Sequence, residues 1–181
     1  VKRGKKAERR ISSIEPQSSR FKQGSPAPVL DVQCSMSGLR SSPSLCSYLK
    51  KNLQQAHDYL SPPLTSLSLA LVGDKKMSAL HVQFLNVAGP TDVLTFPLET
   101  NKKGQPLSGE VVICVPEARR QCRQNGVELR KELLLYSLHG LLHLCGFDDR
   151  TNRQFRRMHL MEDQILTRLG VGPVFKVRGE D

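Results

Sequence analysis

Ser137-Leu138-His139-Gly140-Leu141-Leu142-His143-Leu144-Cys145-Gly146-Phe147-Asp148-Asp149 follows Leu133-Leu134-Leu135 in one nearly unbroken apolar run. Such a run has no polar stripe to turn toward water, so the spacing predicts a long helix over Val127–Cys145 buried at the centre of the molecule. The two histidines are four residues apart, so their imidazoles leave one face of that helix a turn apart. Gly146 then ends the helix, because glycine adopts the left-handed conformation that turns the chain sharply.

Working outward, Thr151 and Gln154 form a capping box for a last helix. Its Phe155, Met158, Met161, Ile165 and Leu169 are expected inward, and it stops at Gly170. On the other side, Pro116 opens a short helix that runs to about Asn125-Gly126. Glu110–Val115, rich in Val and Ile, reads as a buried strand. Val93–Phe96 reads as an edge strand closed by Pro97, and Glu99–Ser108 as a polar loop. Earlier still come a helix over Lys75–Leu85, with Met77, Leu80 and Phe84 inward and Asp74 as its cap, and a strand alternating Leu67, Leu69 and Leu71. Ser44–Leu60 reads as a helix with Leu45, Leu49, Leu53, Ala56 and Leu60 on one face. Val29–Cys34 reads as a first strand. This order implies an α+β fold: a mixed sheet of about four strands, a buried helix and packing helices.

Three segments follow: a basic tail over 1–28, a folded domain over 29–170 and a C-terminal tail over 171–181. The first 28 residues hold eight Lys or Arg against Glu8 and Glu15, which is +6 of the chain's formal +10. They have no apolar period and are expected to be disordered, either a solvated tail or an arm that touches phosphates. Their Arg and Ser content also resembles an organellar transit peptide, so the expected location is cytoplasmic with an organellar alternative. No run of 18 apolar residues exists, which argues against a helical membrane span. Cys34, Cys46, Cys114, Cys122 and Cys145 are odd in number and lack a C-x-x-C pair, so they are expected to be reduced thiols.

The chemistry concentrates in the quoted stretch. Asp149 follows the Gly146 turn by three residues, close enough to return a carboxylate to His139 and His143. Two nitrogens and one oxygen around an open fourth position make a catalytic zinc site. Buried, hydrogen-bonded core histidines would explain the pair alone, but not the glycine and carboxylate at these offsets. The spacing is similar to that of metzincin peptidases, yet their general-base glutamate position is Gly140, so that mechanism is closed.

His139–Asp148 resembles the H-G-x-L-H-L-x-G-Y/F-D-H signature of the YbeY family, metal-dependent endoribonucleases of bacteria and organelles. Gly89-Pro90-Thr91-Asp92-Val93-Leu94-Thr95-Phe96-Pro97 is similar to the family's P-T-D-V-L-S-F-P block. Gly109-Glu110-Val111-Val112-Ile113-Cys114 is similar to G-D-I-x-I-S/C. The resemblance spans about Val29 to Gly170. It implies a four-stranded α+β fold with a buried metal helix and a cleft beside the edge strand. It also implies one Zn2+ per chain on His139, His143 and Asp149, with His139 at the catalytic centre. Asp148, Thr91, Asp92 and His81 become candidates for supporting or cleft positions. The implied activity is single-strand-specific RNA cleavage in maturation of the 3′ end of 16S rRNA and in ribosome quality control. Small-subunit rRNA or the ribosome would be the partner, with no membrane.

Two departures stand out. The family's third histidine is Asp149, whose charge makes a bound metal a weaker Lewis acid. The family's cleft arginine is Leu85, which cannot clamp a phosphate. These departures favour one alternative, a non-enzymatic RNA- or ribosome-binding protein with a retained metal site. A metallohydrolase for another substrate class is the other, opposed by Gly140 and the basic balance.

Overall fold

The computed structural model describes residues 30–37 and 43–172. The basic tail over 1–28 and nearly all of the tail over 171–181 lie outside the described residues. Nine elements follow in order: β1 (Asp31–Met36), α1 (Pro43–Leu60), β2 (Ser66–Val72), α2 (Asp74–Leu85), β3 (Val93–Thr100), β4 (Pro106–Cys114), α3 (Val115–Asn125), α4 (Leu129–Leu144) and α5 (Asn152–Arg168). The strands form one mixed sheet in the order β1-β2-β4-β3, with only β3 antiparallel. The α+β class and the four strands agree with the sequence reading.

Alternation along the strands sorts the side chains into two layers. Leu67, Leu69 and Leu71 of β2 sit in register with Gly109, Val111 and Ile113 of β4. All three leucines are fully buried in the main core with Leu49 and Leu53 of α1 and Leu134, Leu138 and Leu141 of α4. The opposite face carries a smaller core of Val72, Leu94, Val112 and Cys114 against Met77 of α2. Asp74 does not cap α2 but lies in its first turn, after Gly73. There it accepts two hydrogen bonds from Arg120, at 2.7 and 3.0 Å, tying α2 to α3. Those bonds hold the Asp74 carboxyl below its usual pKa.

Several expectations need correction. β3 runs through Pro97 to Thr100, and β4 begins at Pro106, so the polar loop shrinks to a short hairpin turn. Proline is tolerated there because β3 is an edge strand, where its missing N–H removes no ladder bond. Phe84 and Phe155 do not point inward; they are 53% and 42% exposed. Cys34 and Cys46 are not free thiols: they are paired as a disulfide between β1 and α1, with Cα atoms 5.8 Å apart. Among the described residues no helix is long and apolar enough to cross a membrane.

Candidate metal centre

Eleven of the sixteen residues of α4 are buried, and the helix lies flat against the sheet. Gly140 makes that approach possible. A Cβ at this position would stand 2.6 Å from both methyls of Val111 and 3.1 Å from the Thr95 hydroxyl. The position that carries the general base in a metzincin therefore faces β3 and β4, with no room for a glutamate. His139 and His143, one residue before and three after, line a cleft of about 1540 Å³ that β3 also borders.

The end of α4 orients the second histidine. Gly146 takes φ 85°, and the Phe147 N–H donates back to the Leu142 carbonyl at 3.0 Å. The Phe147 carbonyl then accepts from His143 Nδ1 at 3.1 Å. Asp148 Oδ1 accepts the Asp149 backbone N–H at 2.9 Å, fixing the loop that presents Asp149. The Thr151–Gln154 capping box forms as the sequence implied, and it starts α5 directly after that loop.

Returning along α4, α5 brings Glu162 beside His139. Glu162 is 1% exposed and its Oε1 accepts from His139 Nδ1 at 2.7 Å. Its other oxygen accepts from His159 Nδ1 at 2.5 Å. Burial would raise the Glu162 pKa, but these two hydrogen bonds and the imidazole charges hold it below its usual value. Burial likewise opposes the imidazolium of His139, but Glu162, Asp149 and Asp92 outweigh it and raise its pKa.

Both Nδ1 atoms thus face oxygen acceptors, so with neutral rings both Nε2 atoms can offer lone pairs to a metal. Those two Nε2 atoms lie 3.0 Å apart, in rings set at 86°. Asp149 Oδ2 lies 3.7 Å from His139 Nε2. Two lone pairs and a carboxylate converging on one point call for a positive centre between them. Ligands at metal–nitrogen distances of 2.0–2.1 Å in a tetrahedron would stand about 3.3 Å apart. The 3.0 and 3.7 Å separations lie on either side of that spacing, and the donor atoms of His139, His143 and Asp149 all lie within 4.8 Å of one another.

The remaining candidates divide. Thr91 and Asp92 line the cleft, where Asp92 Oδ1 accepts from the Thr91 hydroxyl at 3.0 Å and the Val93 N–H at 2.8 Å. Asp148 also lines it, and its carboxylate holds the loop backbone. His81 does not reach the metal group; its Nδ1 donates to the Gly89 carbonyl at 2.9 Å and anchors the loop before Thr91. Leu85, where the family has arginine, is on the cleft wall and 57% exposed.

Sequence reasoning missed Glu162, His159, Glu132 and Tyr136, all of which line the cleft. The signal for Glu162 was its phase: it sits four residues after Met158, on the inward stripe of α5, where a carboxylate needs a partner. Glu132 is 5% exposed and one turn before Tyr136. Burial pushes the Glu132 pKa up, the Tyr136 hydroxyl offsets part of that, and Asp92 adds to it.

Residues 39–170 match the family described as Endoribonuclease YbeY. The chain belongs to the YbeY endoribonuclease family. The Endoribonuclease YbeY of Thermobifida fusca is 38% identical over 111 residues, covering 58% of this chain and 72% of that protein. The Endoribonuclease YbeY of Leifsonia xyli is 40% identical over 111 residues, with the same coverage. That of Acidothermus cellulolyticus is 34% identical over 116 residues, covering 58% and 71%. The solution structure of TM1509 from Thermotoga maritima shares the fold. It has a TM-score of 0.54 and 23% identity, covering 83% of this chain and 99% of its own. The α+β YbeY architecture expected from the sequence is thereby borne out.

Proposed function

We propose that this protein is a zinc-dependent endoribonuclease that cuts single-stranded RNA, with small-subunit rRNA as its substrate. The observation that carries this reading is the convergence of His139 Nε2, His143 Nε2 and Asp149 Oδ2 in an open cleft of a YbeY-family chain. These three residues would hold the metal, which supplies a Lewis acid for a phosphoryl oxygen and makes water more acidic. The protein's own contribution is aim. Glu162 and the Phe147 carbonyl each hold one Nδ1 hydrogen, so neither ring can turn its Nε2 away. Asp92 is tied by Thr91 and Val93 and presents its carboxylate at the wall beside the edge strand. The folded domain over 29–170 carries all of these groups, and the basic arm over 1–28 would add sequence-independent phosphate contacts. We place the protein in the cytoplasm, with an organellar location as the alternative should residues 1–28 serve as a transit peptide.

The test is cleavage of single-stranded and structured RNA by the purified chain, with and without chelator, beside His139→Ala. Chelator-sensitive cutting of the single strand, absent in the variant, supports the reading. Leu85 on the cleft wall and Asp149 in the ligand set favour one other reading, an RNA-binding protein that keeps the metal for structure. Full metal content with no cleavage under any condition would select it.

A further inference from the structure

Acid outnumbers base along the cleft: six carboxylates line it, and Arg150 is the only Lys or Arg among the lining residues. A strand that laid its phosphates along these walls would meet like charge with almost no cation to pair it. The bases of the strand are uncharged and offer flat π faces. Away from the one phosphate at the metal group, the walls therefore suit bases better than backbone.

Among the described residues, three Phe or Tyr side chains line the cleft: Phe96, Tyr136 and Phe155. Tyr136 is buried, and Phe96 carries the Phe84 ring, with centroids 4.8 Å apart. Phe155 differs. It stands in the first turns of α5 and is 42% exposed. His159, one turn further on and also lining the cleft, meets its ring at 76° with centroids 4.1 Å apart. That imidazole is itself fixed, because buried Glu162 accepts from its Nδ1 and from His139 Nδ1. The two rings meet edge to face, so Phe155 is braced without a parallel partner covering it. A lone exposed phenylalanine on an outer surface needs no explanation. One held by a fixed imidazole, on the wall that also carries the support of a metal ligand, is a preformed flat surface inside the cleft.

We propose that Phe155 is the base-stacking residue of the cleft, taking an unpaired nucleobase of the RNA strand beside the metal group. This assignment rests on the endoribonuclease reading for the identity of its ligand. A single strand can give up a base to the ring, whereas a duplex keeps its bases paired and stacked inside. Stacking needs only a π face, so Phe155 favours single strands without selecting one base.

The chain contains no Trp, so Phe155→Trp installs a single fluorophore that reports its own contacts. The experiment titrates this full-length variant in excess chelator, which silences metal-dependent cleavage. The probes are a single-stranded oligouridylate and an abasic ribose-phosphate oligomer of the same length, equal in charge but without bases. The oligouridylate should quench the tryptophan, and the abasic oligomer should not. Phe155→Ala should bind the oligouridylate about 5- to 100-fold more weakly than the parent, while Phe155→Trp binds it at least as tightly. The dependence of binding on salt should stay parental in both variants, because no phosphate contact is lost. Absence of quenching, equal quenching by the abasic oligomer, or an equal loss of both probes in Phe155→Ala overturns the proposal. Failure of the endoribonuclease reading would show separately, as metal-loaded parent protein that binds the strand and does not cut it.

Discussion

On the floor of the cleft, His139 and His143 rise from a helix with eleven buried residues, and each Nδ1 is held by an oxygen. On the rim, the Asp149 side chain sits in a loop at 38% exposure, and Leu85 and Phe84 face solvent where α2 ends. The floor cannot change without disturbing the core; the rim can. The two departures from the family pattern, Asp149 and Leu85, both fall on the rim. In the proposed function the floor would set where a metal is bound, while the rim would set how strongly it acts and how a strand is held.

The largest effect should come from testing the floor's rigidity. Gly140→Glu places a side chain where even a Cβ stands 2.6 Å from Val111, so the protein should fail to reach its native state. Loss of cooperative thermal unfolding is the expected readout. A folded Gly140→Glu protein would show that α4 does not press on the sheet.

Glu162→Gln comes next. The amide keeps the volume but loses the charge shared by His139 and His159. Metal affinity, measured by competition with a chromogenic chelator, should fall about 10- to 100-fold. Unchanged affinity would mean that the buried carboxylate serves packing alone.

Asp149 sharpens the comparison from the rim side. Asp149→Asn should weaken zinc binding about tenfold, in line with loss of a charged partner at a metal ligand position. Asp149→His should bind zinc more tightly and shift the pH optimum for cleavage downward, because a neutral ligand leaves more positive charge on the metal. Equal zinc affinity in both variants and the parent would remove Asp149 from the ligand set. Leu85→Arg is the mildest change. It adds a cation at a 57% exposed position on the cleft wall and should raise RNA cleavage a few-fold without altering stability. A fall in cleavage would show that the wall needs its apolar character.

Legibility follows the same division. The apolar run of α4 and the four-residue spacing of its histidines specify the floor from local pattern, because burial and helical period leave no competing arrangement. The rim depends on contacts between distant segments. Glu162 stands 23 residues from the histidine it holds, and a lone carboxylate in an amphipathic helix reads as a solvated face until its partner is seen. Phe84 and Phe155 follow the apolar phase of their helices, yet Phe155 ends on the cleft wall and Phe84 against the Phe96 ring, where the core no longer covers them. β3 outran its expected end because an edge position removes the usual cost of Pro97, and edge status is a property of the whole sheet. The Cys34–Cys46 pairing likewise follows from β1 packing beside α1, which spacing alone does not reveal.

The central claim is that the converged histidines and Asp149 hold a zinc ion on which RNA cleavage depends. The direct measurement is single-strand RNA cleavage by the full chain after chelation and after zinc is restored, with His143→Ala beside it. Cleavage should vanish on chelation, return with about one equivalent of zinc per chain, and stay absent in His143→Ala, which should retain little zinc. Cleavage that survives chelation, or a His143→Ala protein with full zinc and parental cleavage, would contradict the account.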